Sequence, residues 1–140
     1  MTRAQLVFLA SAGLFVAMGL VHGGLTLGDL RGARSFAPVD EGVGRAMRGA
    51  RVRFSPSLDL WRTWLGLHLT HSLGLLAFGS LTAAAALVHW PWVAESVPAR
   101  AGALAIAFVY AAVAARYFFW APALGCAAAT TGFAFGGFLL

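Results

Sequence analysis

The sequence predicts an all-α protein in which four apolar helices cross a membrane as a bundle. The chain of 140 residues is 60% hydrophobic and only 11% charged, whereas about a quarter of the residues carry charge in soluble domains. The apolar residues also fall in four stretches that are almost free of charge, and a membrane-spanning helix needs roughly 20 such residues. We therefore expect residues 1–140 to form a single membrane domain.

The four predicted spans differ in what flanks them. The spans cover approximately residues 4–22, 60–88, 98–120 and 121–140, and a loop of residues 23–59 joins the first two. The first span also fits a signal peptide with Arg3 as its basic region, although the apolar part of such peptides is usually about 7–15 residues long. The second span ends before Trp90 and Pro91, because tryptophan suits the headgroup region and proline interrupts a helix.

The loop of residues 23–59 is the only extended hydrophilic region. Its six arginines are Arg31, Arg34, Arg45, Arg48, Arg51 and Arg53. Pro38, Asp40 and Glu41 predict the start of a short helix. The apolar residues that would share one face of this helix are Val43, Met47, Ala50 and Phe54. This pattern is typical of an interfacial helix whose arginines reach lipid headgroups, while the glycines of the segment also allow a structured loop.

The arginines predict both the lipid contacts and the orientation of the chain. The residues predicted to contact headgroups are Arg45, Arg48, Arg51 and Arg53. With the loop in the cytoplasm, eight of the ten arginines lie on the cytoplasmic side, as the positive-inside rule requires. We expect a multi-pass protein of the inner (plasma) membrane with both termini outside. The net charge of +5 then indicates membrane lipids as partners rather than nucleic acid, and other membrane subunits stay an open possibility.

Three histidines are the main candidates for a functional site. His68 and His71 lie three residues apart on one face of the second span, and His22 ends the first span at the same membrane boundary. Ionisable residues inside a membrane are costly and indicate function by default. One interpretation is a shallow site of His22, His68, His71 and Asp29 that binds b-type haem, a metal ion or a lipid-like small molecule. The favoured interpretation has no cofactor: neutral histidines form hydrogen bonds between helices, to Ser72, Thr26 or backbone carbonyls.

Nothing in the sequence predicts an enzyme. It contains no Gly-x-Ser-x-Gly, paired carboxylates, His-Glu-x-x-His or phosphate-binding loop. Cys126 is the one cysteine, so one chain cannot form a disulfide or a cysteine metal site. Gly132 and Gly136 form a Gly-x-x-x-Gly motif, which predicts helix packing within the bundle or, as the alternative, a homodimer.

A set of dispersed residues carries a resemblance to a known family. These residues are Gly19, His22, Gly28-Asp29-Leu30, Met47, Leu60-Trp61, Gly66, Ser72-Leu73-Gly74 and Tyr117-Phe118-Phe119 before Pro122. With them the chain resembles small bacterial four-helix membrane proteins that have no assigned activity. The resemblance covers nearly the whole chain; it implies the architecture and no chemistry.

A second resemblance is to the haem-anchoring subunits of succinate dehydrogenase. Ser55-Pro56, followed by His71-Ser72-x-Gly74 in a span, carries it. Those anchors resemble three-helix proteins with an arginine after the histidine, where this chain has Ser72. The sequence thus predicts an accessory or structural membrane component, with a histidine-bearing bundle that binds haem, a metal ion or a lipid-like molecule as the alternative.

Overall fold

The computed structural model describes residues 1–140 and is an all-α fold with one short hairpin. Helices hold 80% of the residues. The elements in chain order are α1 (Arg3–Leu30), α2 (Glu41–Gly49), β1 (Arg51–Val52), β2 (Ser55–Asp59), α3 (Leu60–Val88), α4 (Trp90–Glu95), α5 (Val97–Tyr117) and α6 (Trp120–Phe138).

Three of these helices are long and apolar enough to cross a membrane. They are α1, α3 and α5, with mean hydropathies of 2.1, 1.6 and 1.7 over their most apolar windows. The fourth predicted span corresponds to α6, which has 19 residues and no charge but is not among the three.

The first helix is longer than predicted. The predicted first span ended at residue 22, and its continuation through Gly23 and Gly24 was only the alternative. In the structure α1 does continue through both glycines, to Leu30. The helix then ends in a Schellman motif: Gly32 has φ +100°, its amide bonds to the Asp29 carbonyl, and the Ala33 amide bonds to the Gly28 carbonyl. The helix therefore stops where glycine allows the left-handed conformation that terminates it.

The short helix predicted within the loop exists as α2, but it is shorter than its apolar stripe. Asp40 caps α2 by accepting the amides of Gly42 and Val43 through Oδ1, which stabilises the predicted start. Only Val43 and Met47 of the stripe lie on this helix. Ala50 is extended and Phe54 lies in the turn of the hairpin, because strands β1 and β2 pair directly after α2.

The boundaries of the later elements also differ from the prediction. The third span was expected at 98–120, but α5 ends at Tyr117 because Phe118 and Phe119 are extended and turn the chain into α6. The sequence interpretation used Pro91 only as a helix breaker. In the structure Pro91 also lies in the first turn of α4, where its missing amide needs no partner.

The chain divides into two compact units, each with its own packing. Unit 1 comprises Met1–Met18 and Leu75–Leu140, and unit 2 comprises Gly19–Gly74. Phe15 is fully buried at the centre of unit 1. Its ring contacts one aromatic ring from each of three other helices: Phe78 of α3, Tyr110 of α5 and Phe133 of α6, at centroid distances of 4.8, 5.5 and 6.4 Å. Four helices thus share one aromatic cluster.

Glycines let α1 come close to α3 in unit 1. A Cβ atom added to Gly79 would lie 2.8 Å from both the Ala12 carbonyl oxygen and the Val16 amide nitrogen. These are backbone atoms, so a side chain at this position would have to move one of the two helices.

Glycines also let α1 come close to α6. A Cβ atom on Gly132 would overlap the Ser11 hydroxyl, and one on Gly136 would lie 3.4 Å from the Ala4 carbonyl oxygen. The Gly-x-x-x-Gly motif therefore packs against α1 of the same chain, which is the first of its two predicted roles.

We predict that Gly79→Ala destabilises the protein by about 1–3 kcal/mol, the usual effect of adding volume to a closely packed interface. Gly66→Ala is the matched control, because Gly66 lies on the same helix and a Cβ there meets no atom within 4 Å. In the control, alanine should instead stabilise the helix by roughly 0.5–1 kcal/mol. Equilibrium unfolding in detergent compares the two, and equal stabilities would contradict the close contact.

Candidate functional site

The histidines that the sequence selected lie together in unit 2. Nε2 of His22 on α1 and Nδ1 of His68 on α3 are 2.9 Å apart, which is a hydrogen bond between two imidazoles. The ring of His71 packs edge-on against His22 at a centroid distance of 5.1 Å. Because an N–H···N bond needs one nitrogen that carries no proton, at least one ring of the pair is neutral.

The hydroxyl groups near the histidines do not connect the two helices. Thr26 donates to the His22 carbonyl and Ser72 donates to the His68 carbonyl, each one turn back in its own helix. Each hydroxyl thus donates within its own helix, and the predicted bonds from histidine to Thr26 or Ser72 stay a prediction. Within unit 2, the bond from His22 to His68 links α1 and α3. The helices are also close here, since a Cβ on Gly23 would lie 3.4 Å from the Ser72 Cβ.

An aromatic side chain from the loop covers the histidine pair. The Phe36 ring stacks on His68 with centroids 4.1 Å apart and planes inclined by 16°, and it also contacts His22. Trp64 packs edge-on against the His68 ring at 4.5 Å. The Trp64 indole N–H also donates to the Phe36 carbonyl over 3.2 Å. This hydrogen bond to the Phe36 backbone therefore holds the Phe36 ring in its place over the histidines.

Asp29 fixes the other side of the same loop. Its Oδ1 accepts the Ser35 amide at 2.7 Å and its Oδ2 accepts the Phe36 amide at 2.8 Å. Only 6% of this residue is exposed. Both carboxylate oxygens thus hold the loop backbone, and in this arrangement Asp29 positions Phe36 over the histidines.

The direct contact between the imidazoles bears on the predicted metal or haem site. With metal–nitrogen bonds of about 2.0–2.1 Å, two ligand nitrogens lie about 3.3 Å apart in a tetrahedral site and about 4 Å apart on opposite sides of an ion. The observed 2.9 Å is shorter than either distance. No group of three or more His, Cys, Asp or Glu side chains is arranged to hold a metal ion. His22 and His68 therefore bond to each other directly. Their separation fits neither a shared tetrahedral ion nor an iron held between the two rings, whereas adjacent ligands of an octahedral ion would lie about 2.9 Å apart.

One polar atom of this cluster has no partner. His68 is only 8% exposed, and its Nε2 is buried without a hydrogen bond. A buried polar atom without a partner is uncommon in folded proteins. If Nδ1 of His68 donates to His22, this Nε2 keeps a free lone pair, which is the one feature of the cluster that suits a ligand.

The four arginines predicted to contact lipid headgroups fall on different elements. Arg45 and Arg48 lie on α2, Arg51 lies on β1 and Arg53 lies in the hairpin turn. Glu41 forms ion pairs with Arg34 at 3.1 Å and with Arg45 at 3.8 Å. The Arg48 guanidinium lies 5.2 Å from the centre of the Trp61 ring. Only Arg45 and Arg48 of the predicted four therefore share a surface.

The sequence interpretation missed Phe36 and Arg34. Both lie in the segment before α2, where no periodic pattern indicates which side chains turn inward. The available indication for Phe36 is that it is the one aromatic residue between α1 and α2. For Arg34 it is the spacing of seven residues from Glu41, which the bends at residues 35–37 and 39–40 bring into contact.

No protein-family model, curated protein or solved structure matches the chain. The resemblance to small bacterial four-helix membrane proteins therefore stays a prediction.

We predict that Phe36→Ala exposes the His68 ring to solution. Diethyl pyrocarbonate, which modifies neutral imidazole nitrogens, should then react with His68 several-fold faster, while His89, which is exposed, keeps its rate as an internal standard. Phe54→Ala is the matched control, because this phenylalanine of the same loop is 85% exposed. Peptide mass spectrometry measures both rates. If His68 of the unaltered protein already reacts as fast as His89, the covering role of Phe36 is wrong.

Proposed function

We propose that this chain is a four-span integral membrane protein that acts as a non-catalytic accessory or structural component of the membrane. Its first loop faces the cytoplasm and both termini face outward. The observation that carries the proposal is the exposure of large apolar side chains on the helix surfaces.

Large apolar side chains lie on the outside of the helices. Among the residues of the three long apolar helices, Leu67 is 61% exposed, Leu81 71% and Phe108 63%. Soluble proteins rarely expose contiguous apolar patches of more than a few hundred square ångströms. In a bilayer the same side chains would contact lipid tails at no such disadvantage, so these surfaces support insertion.

Packing against α1 supports α6 as the fourth span. A Cβ on Gly125 would meet the Met18 side chain, and one on Gly136 would lie close to Ala4. The two helices therefore run side by side and antiparallel along residues 4–18 of α1. At 1.5 Å per residue this contact is about 21 Å long. If α1 crosses the membrane, α6 crosses most of the same thickness with no charged residue.

The polar groups of the two histidine-bearing helices support a structural role. The carboxylate of Asp29 holds the loop, and His22 and His68 bond to each other. Hydrogen bonds between membrane helices contribute about 0.6 kcal/mol on average, so this bond helps to fix the pairing of α1 and α3 without dominating it. The carboxylate and the two bonded imidazole nitrogens are satisfied inside the protein, whereas Nε2 of His68 is not.

The second candidate function is a histidine-bearing site for haem, a metal ion or a lipid-like molecule. Its one specific support is the unpartnered Nε2 of His68. To use this atom, a ligand must displace Phe36 or Trp64, whose rings now pack against the imidazole. A Soret absorption band, or bound metal, that disappears in His68→Phe would favour this candidate over the structural role.

We predict the labelling pattern of three single cysteines in a Cys126→Ala background. With an impermeant thiol reagent on intact cells, cysteines at Glu95 and Leu140 should react, and one at Ser35 should react only after permeabilisation. The reason is that α1, α3, α5 and α6 each cross the membrane in the proposed topology, so the chain changes sides at every one of these helices. Reaction at Ser35 in intact cells would contradict the orientation, and reaction at Glu95 without Leu140 would contradict the fourth span.

A further inference from the structure

A small basic groove lies between α2 and the segment that precedes it. Its volume is about 110 Å³. The side chains that give it charge are Arg34, Arg45, Arg48 and Glu41, and the uncharged residues Ala37, Pro38 and Gly44 complete the lining. All of these residues belong to unit 2, so the groove is formed within one compact part of the chain.

Three arginines and one carboxylate give the groove its charge. The Glu41 carboxylate already lies between Arg34 and Arg45, at 3.1 and 3.8 Å from their nitrogens. Both guanidinium groups are otherwise exposed, with about three quarters of their side-chain surface in solvent. Arg48 has no acidic partner in an ion pair and is held over the Trp61 ring. Three positive charges thus face one negative charge, which leaves the groove with a surplus of two.

The floor of the groove is open because of a glycine. Gly44 is buried in the middle of α2, yet a Cβ atom added there would meet nothing within 4 Å. A glycine inside a helix costs about 1 kcal/mol relative to alanine. Its effect here is to leave space between the arginines that any other side chain would occupy.

The volume limits what the groove can hold. Pockets for drug-sized molecules and cofactors measure about 300–1,000 Å³, several times more than this groove. One water molecule takes about 30 Å³ in the liquid, so the space is that of a few waters. A single tetrahedral oxyanion fits it, and guanidinium groups are suited to bind phosphate oxygens in pairs.

We propose that this groove is a phosphate-binding site, formed by Arg34, Arg45 and Arg48 over Gly44. Two sources present this chemistry: the phosphate of an anionic lipid headgroup, and free phosphate. The segment with the groove joins the end of α1 at Leu30 to the start of α3 at Leu60, so on the proposed membrane placement it lies beside the headgroups. The lipid source rests on that placement, whereas the phosphate chemistry does not.

This site differs from general attraction of the loop to a charged surface. General attraction treats every arginine of the loop alike, including Arg51 and Arg53, which do not line the groove. A groove requires Arg34 and requires the open space at Gly44. The two explanations therefore predict different effects for variants that carry the same change of charge.

The test measures binding by the full-length protein in a neutral detergent. The probes are inorganic phosphate, by titration calorimetry, and short-chain phosphatidic acid compared with phosphatidylcholine, by native mass spectrometry. Arg34→Gln and Arg45→Gln should each weaken phosphate or phosphatidic acid binding about tenfold, since one charged hydrogen bond contributes roughly that factor. Gly44→Leu should weaken binding by a similar factor, because the leucine side chain would fill the open space of the groove. Arg53→Gln and Gly49→Leu are the matched controls and should leave binding within about twofold, with helix content checked by circular dichroism.

Each outcome decides the proposal. Binding of phosphatidic acid alone, with this variant pattern, supports the site and assigns it to lipid; binding of inorganic phosphate with the same pattern supports the site and assigns it to the free ion. The proposal is overturned if neither probe binds the unaltered protein, or if Arg53→Gln weakens binding as much as Arg45→Gln. The assay needs no membrane orientation, so its failure is distinct from a failure of the proposed topology.

Discussion

The close approach of α1 to its neighbours is the constraint on which unit 1 depends. Lipid tails give helices no hydrophobic reason to associate, so contact must come from close packing. Gly79 on α3 and Gly132 on α6 remove the side chains that would keep α1 away. Phe15 can then reach aromatic rings on three helices at once. Each aromatic pair contributes about 0.5–1.5 kcal/mol beyond its buried area, which helps to select this one arrangement.

In unit 2, close packing of α1 and α3 at a glycine brings polar groups together. Gly23 brings α1 near Ser72 of α3, and the bond between His22 and His68 closes the pair. Asp29 then holds Phe36 over the rings. Burial of imidazoles is tolerated because they bond to each other and stack on aromatic faces. The histidines and Asp29, which the sequence indicated as a candidate site, thus hold the loop in place. The arginines that line the proposed groove are exposed instead.

Periodic patterns in the sequence predicted what depends on local structure. The bounds of α3, the start of α2 at Glu41 and the shared face of His68 and His71 all follow from spacing, caps and apolar runs. The first span was predicted to end at residue 22 because two adjacent glycines weaken a helix locally, while contacts with α3 outweigh that effect. The hairpin from Arg51 to Asp59 lacks a clear alternation, and the stacking of Phe36 depends on a turn that brings distant residues together. Such long-range contacts produce no periodic pattern in the sequence.

The central claim, that α1 and α6 pack closely within one chain, is tested most directly by a disulfide between them. A Cβ on Gly132 would lie 3.4 Å from the Ser11 Cβ, close to the separation of about 3.5–4.5 Å in a disulfide. Ser11→Cys with Gly132→Cys, in a Cys126→Ala background, should oxidise within the monomer and lose two hydrogens by mass. Ser11→Cys with Gly137→Cys, which faces open space, should not. Covalent dimers of the Gly132→Cys single variant, with no bond inside the double variant, would contradict the account.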